Sequence, residues 1–181
     1  MIDSLLSRAS TKNLMEPGPS EAELSQILAA AVRAADHGKR RPWNFVVIRG
    51  EGRTRLGELF VEALRRRDPA ASAGQLEKER EKALRAPLTI GVVAKIVADH
   101  KVPAVEQLLS AGAAAMNILN AAHALGFGAK WITGANCYDP WFLDRFGLEP
   151  ADQLAGFIQI GSAGERAETA RPDPALFTRE F

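Results

Sequence analysis

The sequence has little cysteine and no sustained excess of either charge. Cys137 is the only cysteine among 181 residues, which excludes an internal disulfide and a cysteine-cluster metal site. Because structural disulfides belong to oxidising compartments, a single cysteine favours a reducing one. The 23 Lys and Arg side chains nearly balance the 22 Asp and Glu, leaving a net charge of +1. This balance argues against general binding to nucleic acid or to anionic membranes, both of which need a sustained positive excess.

Long apolar segments are also scarce. The first ten residues are too short and too polar for the apolar core of a signal peptide, so the sequence predicts a cytoplasmic protein. Residues 107–129 contain no Asp, Glu, Lys or Arg, but polar side chains such as Gln107, Asn117 and Asn120 interrupt the segment. A membrane-spanning helix needs about 20 apolar residues. We therefore interpret this segment as a helix buried inside a protein and expect no membrane partner.

Several familiar catalytic patterns are missing. The sequence has no phosphate loop of the Gly-x-x-x-x-Gly-Lys-Ser/Thr type and no Gly-x-Ser-x-Gly nucleophile turn. Gly126 and Gly128 do not begin a dinucleotide-binding Gly-x-Gly-x-x-Gly motif, because Trp131 occupies the last position. The three histidines are too far apart to form a metal-binding pair on one helix. The sequence therefore predicts no metal site and identifies no catalytic side chain.

What is present is the composition of an ordinary globular domain, with 46% hydrophobic and 25% charged residues. Its length fits a single domain over residues 1–181. Apolar spacing and end signals predict helices over residues 2–9, 20–35, 51–66, 75–85, 103–126 and 140–146, and strands over 43–48, 88–97, 129–133 and 156–160. Because these elements mix without a steady βαβ rhythm, we expect an α+β fold. The tail after Ala163 ends in apolar residues, so we expect it to dock on another surface.

Two regions carry side chains suited to an anionic, aromatic cofactor. Arg8 and Ser10 follow the first predicted helix, and Arg33 and His37 lie at the end of the second, before the basic run 39–41. Forked guanidinium donors and a hydroxyl match phosphate oxygens. Positive charge at the end of a helix is also favourable without any ligand, and spacing alone leaves both interpretations open.

The second region is residues 126–134. Its glycines allow the backbone to approach a flat ligand closely, and Trp131 and Thr133 could lie along the edge of that ligand. The alternative is a helix end at Gly126 followed by a core strand, which the pattern alone favours.

In this order, these segments resemble the FMN-dependent nitroreductase family, in particular its short branch. The similar segments include Leu-Leu-Ser-Arg-Ala-Ser at 5–10, Arg-Ala-Ala-Asp-His at 33–37 and Arg-Pro-Trp-Asn-Phe-Val-Val at 41–47. Others are residues 85–87, 92–95, 100–103, 106–107, 110–112, 126–128 with Trp131 and Gly134, and 156–157 with Gly161. The combination of these segments is specific to the family, although each segment alone is only a weak indication of it. The resemblance implies a mixed, mainly antiparallel sheet flanked by helices, in an intertwined homodimer with flavins at the subunit interface.

The resemblance also implies a cofactor site, residue by residue. The positions implied for FMN are Arg8, Ala9, Ser10, Arg33, His37, Trp131, Ile132 and Thr133. The first three would hold the phosphate and the ribityl chain, and the last three would run beside the flavin. The turn at His123 and Gly126 corresponds to the region sometimes assigned to the nicotinamide nucleotide.

Four positions depart from the family pattern. Ala9 replaces the second arginine of the opening motif, Asn13 stands where many members have arginine, Ala35 replaces proline, and Arg41 replaces glutamine. Alanine at position 9 would weaken a side-chain grip on phosphate, but a backbone contact would survive the change. Arg41 would restore positive charge nearby.

The resemblance implies an enzyme that passes hydride from NADH or NADPH through flavin N5 to a nitroaromatic, quinone or similar small acceptor. The alternatives are a flavin reductase or dehydrogenase with another substrate, and a flavin-binding protein without turnover. The distribution of charge is compatible with one anionic cofactor. Residues 1–67 carry 12 basic and 8 acidic side chains, whereas residues 68–181 carry 11 and 14.

Overall fold

A computed structural model of the chain describes residues 2–164 and 170–181. The helices are α1 (Ile2–Ser7), α2 (Glu21–Ala31), α3 (Glu51–Arg67), α4 (Ala73–Leu84), α5 (Ala104–Ala124) and α6 (Pro140–Arg145). The strands are β1 (Leu14–Met15), β2 (Trp43–Arg49), β3 (Leu88–Ala94), β4 (Phe127–Ile132) and β5 (Gln153–Ala163). Short 3-10 turns cover His37–Lys39, Ala135–Tyr138 and Pro174–Phe177. The expected α+β class is confirmed.

The five strands form one sheet in which every strand pairing is antiparallel. β5 lies in the middle, with β4 along one edge and β3 along the other, and β2 continues beyond β3. The short β1 pairs with the end of β5 at Ser162 and Ala163. All residues of β3 are buried, because helices cover both faces of the sheet there.

The two faces carry separate cores. On the α5 face, covered by α2 and α5, Ile27 and Ile118 pack with sheet residues such as Ile90 and Ile158. On the α3 face, covered by α3, α4 and α6, the core is aromatic, and Phe60 lies with its ring centroid 5.6 Å from that of Phe157. Successive strand residues point to opposite faces, so alternate positions along β4 face the α5 side and the α3 side.

The starts of the helices follow from local chemistry. Ser20 caps α2 with the reciprocal Ser–Glu23 bonds that its spacing predicts, and Ser72 caps α4 in the same way through Gln75. Asp139 caps α6 by accepting hydrogen bonds from the backbone N–H groups of Trp141 and Phe142.

Several boundaries differ from the sequence prediction. α2 ends at Ala31 rather than at residue 35, because the chain tightens into i→i+3 bonds at Arg33 and Ala34. β3 ends at Ala94 rather than at residue 97, where the backbone N–H instead donates to Gln107 Oε1. β5 is longer than predicted and begins at Gln153. β1 was not predicted, because a strand of two residues shows no recognisable alternation of apolar and polar side chains.

The carboxyl-terminal tail presents its apolar side chains to solvent in the single chain. Leu176 and Phe177 are 75% and 77% exposed, and Phe181 is exposed as well. Docking of this tail stays a prediction. Within residues 2–164 and 170–181, no helix has the length and apolar content needed to cross a membrane.

Candidate functional site

The segment that follows α1 lies along the outer edge of β4. Ser10 forms a parallel bridge with Ala129, and the Thr11 N–H donates to the Ala129 carbonyl oxygen at 3.0 Å. Ala9, between Arg8 and Ser10, is partly buried. Trp131, Ile132 and Thr133 follow at the far end of the same strand. The structure thus places residues 8–10 beside β4, whose far end carries Trp131 and Ile132, with Thr133 directly after it.

The guanidinium group of Arg171 reaches the backbone of Arg8 at the start of this segment. Arg171 Nη2 donates to the backbone oxygen of Arg8 at 2.7 Å. Burial lowers the pKa of Arg8, and repulsion from Arg171 lowers it further. Neither arginine has a carboxylate partner among the described residues. Like charges held together without a counter-charge favour a bound anion, and two guanidinium forks match a phosphate.

Arg171 was missed by sequence reasoning. It lies 163 positions from Arg8, and the only local signal was a basic side chain before Pro172. Arg171 reaches Arg8 because the carboxyl-terminal tail returns to the amino terminus, and no periodicity in the sequence predicts that path.

An open cavity of about 670 Å³ adjoins β4 on the α3 face. Its lining residues are Lys12, Asn13, Leu14, Met15, Arg85 and Lys130, with three cations and no carboxylate among them. Lys130 Nζ donates to the backbone oxygen of Lys12 at 3.3 Å. Burial lowers the pKa of Lys130, and the charge of Arg85 adds to that shift. We call this space the cationic cavity.

A smaller cavity of about 180 Å³ lies beside it on the same face, and we call it the enclosed cavity. Ile132 lies two residues beyond Lys130 on β4, and Lys82 lies three residues before Arg85 at the end of α4. The two cavities therefore adjoin along both elements. Apolar lining comes from Phe60, Leu64, Ile132 and Phe157, and the rest comes from Arg67, Glu79, Lys82 and residues 133–137.

Along one wall of the enclosed cavity runs a connected set of polar side chains, which we call the polar chain: Lys82, Glu79, Asn136, Arg67 and Asp139. Lys82 Nζ lies 2.5 Å from Glu79 Oε2, and Asn136 Nδ2 donates to Glu79 Oε1 at 3.1 Å. Arg67 Nη2 donates to Asn136 Oδ1 at 2.7 Å, and Arg67 also forms an ion pair with Asp139. Burial raises the pKa of Asp139, but hydrogen bonds from Phe142, Arg67 and Trp141 outweigh it, so the pKa lies below its ordinary value.

The indole of Trp131 points to the opposite, α5 face of the sheet. A third cavity of about 440 Å³ lies there, mainly apolar, and it includes Leu108, Leu109, Gly112, Trp131 and Cys137 in its lining. Burial raises the pKa of the Cys137 thiol to about 11, so this sulfur stays protonated at neutral pH and is no candidate nucleophile.

Arg33 and His37 lie in another part of the fold, away from Arg8. His37 Nδ1 is 2.5 Å from Glu106 Oε2 at the start of α5, whereas Ser7 Oγ is 3.0 Å from Nε2 of His123 near its end. The helix between Glu106 and His123 is about 25 Å long at 1.5 Å per residue. α5 also packs between α2 on one side and β4 on the other. Within one subunit, therefore, Arg33 and His37 do not join Arg8.

His123 and Gly126 occupy the turn from α5 into β4. The Gly126 N–H donates to the His123 carbonyl oxygen at 3.0 Å, and Gly126 has a φ of +91° that favours glycine. The turn lies near α1, on the Arg8 side of the molecule.

The chain is similar to known proteins over almost its whole length. The sequence model of the nitroreductase family matches residues 5–162. The Escherichia coli K12 protein named "Putative NAD(P)H nitroreductase YdjA" is 39% identical, over 99% of this chain and 98% of its own. The crystal structure of a nitroreductase-like family protein from Bacillus cereus superposes with a TM-score of 0.88 at 22% identity, covering 99% of this chain and 95% of its own. That of a nitroreductase with bound FMN from Desulfitobacterium hafniense has a TM-score of 0.71 at 18% identity, covering 99% and 97%.

Proposed function

Because the chain belongs to the nitroreductase family, we propose that it is an FMN-dependent oxidoreductase that uses NADH or NADPH to reduce a small organic acceptor. The acceptor is a nitroaromatic, a quinone or a similar molecule. The observation that carries the proposal is the contact of Arg171 with Arg8, neither of which has a carboxylate partner within residues 2–164 and 170–181. Relatives named as NAD(P)H nitroreductases, and an FMN-bound protein of the same fold, support the choice of cofactor.

The donors present fit the chemistry of FMN. Arg8 and Arg171 supply guanidinium groups and Ser10 a hydroxyl for the phosphate, which is dianionic at neutral pH. Ala9 offers only its backbone to the phosphate. The partly buried Arg8 and Arg171 together supply the positive charge that an arginine at position 9 would have added. Lys12 and Lys130, which line the cationic cavity, would provide donors for the polyhydroxyl ribityl chain.

The flat ring system is held at the far end of β4. Trp131, Ile132 and Thr133 would run beside it. At Gly134 a side chain would meet nothing within 4 Å, so a ring can approach the backbone closely.

The bound FMN supplies the hydride chemistry, and the chain supplies orientation and electrostatics. Lys12 and Lys130 would place positive charge near the cofactor, where negative charge develops on reduction. No side-chain nucleophile is required, in agreement with the protonated, buried Cys137. The turn at His123 and Gly126 is kept as the proposed contact for the nicotinamide nucleotide.

The site is completed by a second copy of the chain. The outer side of α5 is apolar, with Leu109 66% exposed and Val105 and Met116 exposed as well. Contiguous apolar surface of this kind marks an interaction site. We propose a homodimer packed through α5, in which Arg33 and His37 of one subunit reach the FMN of the other, and in which the apolar tail docks on the partner.

The spectrum of the purified protein and its response to NADH or NADPH test the function. We expect flavin absorbance, either as purified or after addition of FMN, and its loss on anaerobic addition of NADH or NADPH. Protein that binds no FMN would contradict the proposal. Bound flavin that both nucleotides leave oxidised would instead favour a flavin-binding protein without turnover. Reduction of free flavin, but of no nitroaromatic or quinone, would favour a flavin reductase.

A further inference from the structure

The cavity of about 440 Å³ on the α5 face, which we call the α5 cavity, lies beside the end of β4. Pockets that bind small molecules measure about 300–1,000 Å³ and are mainly apolar, with a few polar groups that fix the orientation of the ligand. The apolar and aromatic side chains of its lining include Leu108, Leu109, Trp131, Tyr138 and Leu143. Its size and lining therefore suit a small aromatic molecule.

One polar residue of this lining is almost fully buried. Asp152, which lies just before β5, has only 3% of its side chain exposed. Its Oδ2 is engaged, because it pairs with Lys95 Nζ and accepts the backbone N–H of Glu149 at 3.0 Å. Oδ1 has no hydrogen-bond partner in the part of the chain that the structure describes. A buried carboxylate oxygen without a partner is costly, and a ligand that donates a hydrogen bond to it removes that cost.

Asp152 and Trp131 lie one ring length apart along this cavity. The indole Nε1 of Trp131 donates to the backbone oxygen of Ala155 at 3.1 Å. Asp152 precedes Ala155 by three residues, which is about 10 Å of extended chain. The α5 cavity thus combines a hydrogen-bond acceptor, an aromatic ring and apolar walls within the reach of one substituted aromatic molecule.

We propose that the α5 cavity binds the electron acceptor, and that it selects an uncharged aromatic ring carrying a hydrogen-bond donor such as a hydroxyl or amino group. Asp152 Oδ1 accepts the hydrogen bond from that donor. An acceptor with a carboxylate is rejected, because like charges repel strongly in apolar surroundings. This inference rests on the proposed function, in which Trp131 runs beside the flavin, and it names the class of acceptor.

Three nitroaromatic compounds that differ in one substituent test the selection: para-nitrobenzyl alcohol, para-nitrotoluene and para-nitrobenzoate. Isothermal titration of the oxidised, FMN-loaded protein without nucleotide gives their dissociation constants, and anaerobic turnover gives kcat/KM. We expect the alcohol to bind at least about tenfold more tightly than the toluene, because it donates to a charged oxygen. The benzoate should bind most weakly, and kcat/KM should follow the same order.

Asp152→Asn keeps the shape of the side chain and removes its charge. Its amide oxygen can keep the contacts with Lys95 and Glu149, which leaves the amide N–H₂ group to replace Oδ1. The advantage of the alcohol over the toluene should then disappear, and the benzoate should bind at least about tenfold more tightly than to the wild type. Asp144→Asn is the matched control and should keep the wild-type order, because Asp144 is exposed on α6 and does not line the cavity.

Gly112→Leu tests the cavity independently of Asp152. A Cβ at Gly112 would lie 3.9 Å from Trp131 Cη2, which is an ordinary contact, and leucine favours a helix more than glycine does. The variant should therefore fold, and urea unfolding checks this. Because the leucine side chain fills space that the ring needs, all three compounds should bind about tenfold or more weakly than to the wild type.

The outcomes separate this inference from the function on which it rests. FMN-loaded wild-type protein that binds the three compounds equally overturns the inference alone, as does Asp152→Asn with the wild-type order of affinities. If Asp152→Asn fails to fold, wild-type affinities in Gly112→Leu overturn it. Protein that binds no FMN overturns the proposed function instead, and titration of the flavin-free protein then shows whether the cavity still selects the alcohol.

Discussion

The indole Nε1 of Trp131 donates a hydrogen bond of 3.1 Å to the backbone oxygen of Ala155. The ring therefore lies across β5 and anchors the end of β4, where Ile132 and Thr133 follow. Gly156, the residue after Ala155, has a φ of +142° and lies at the irregularity in the pairing of β5 with β3. A side chain there would overlap the indole and come within 2.8 Å of the Ile132 carbonyl oxygen.

Gly156→Ala should therefore destabilise the protein. Strain at the positive φ and overlap with Trp131 and the backbone predict a loss of about 2 kcal/mol or more. The free energy of unfolding in urea measures it. The control is Gly74→Ala in α4, where a side chain meets nothing within 4 Å and alanine favours the helix. Equal effects of the two substitutions would contradict this role of Gly156.

All the helices and every strand except β1 were predictable from the sequence, apart from some of their ends, because their signals are local. Ser20 with Glu23 marks a helix start, and the uncharged stretch of α5 marks burial. The cavities could not be predicted in the same way. The alternating charges of α4 are typical of a solvated helix face, and only its packing against α3 places Glu79 and Lys82 at a cavity.

Arg8→Ala and Arg171→Ala should each weaken FMN binding. Loss of a charge-assisted hydrogen bond worth about 1.5–3 kcal/mol predicts a dissociation constant about 10- to 100-fold higher. Titration followed by the quenching of FMN fluorescence measures this. Arg55→Ala is the control, because Arg55 is exposed and pairs only with Glu51 among the described residues. Unchanged affinity in both variants would remove the phosphate site from this end of β4.

The Arg67–Asp139 pair predicts a pH-dependent contribution to stability. The native pKa of Asp139 lies below its ordinary value, so its contribution is present above the unfolded pKa and is lost as pH falls through the lower native one. Asp139→Asn should therefore destabilise the protein at pH 7 and at pH 5. The difference from wild type should shrink below about pH 4, the range in which an ordinary aspartate titrates.

Urea unfolding at these pH values tests this behaviour. Asp144→Asn is the control, since Asp144 is exposed and its contact with Arg145 spans 3.8 Å. A penalty for Asp139→Asn that stays constant down to pH 2.5 would show that the carboxylate charge is not what stabilises the fold.

Leu109→Glu should dissociate the proposed homodimer. A charge in the middle of the apolar side of α5 would be buried without a partner, which predicts a dimer dissociation constant higher by roughly tenfold or more. Sedimentation velocity over a range of concentrations measures it. Leu84→Glu, on α4 and away from α5, is the control. A monomeric wild-type protein that retains FMN would contradict the two-subunit site.

The most direct test of the cofactor site compares FMN with riboflavin, which lacks the phosphate. Isothermal titration of flavin-free protein gives both dissociation constants. Two guanidinium groups gripping one phosphate predict that FMN binds at least about 100-fold more tightly than riboflavin, and that the advantage falls in Arg8→Ala. Equal affinities for FMN and riboflavin in the wild type would contradict the assignment of the Arg8–Arg171 pair as the phosphate site.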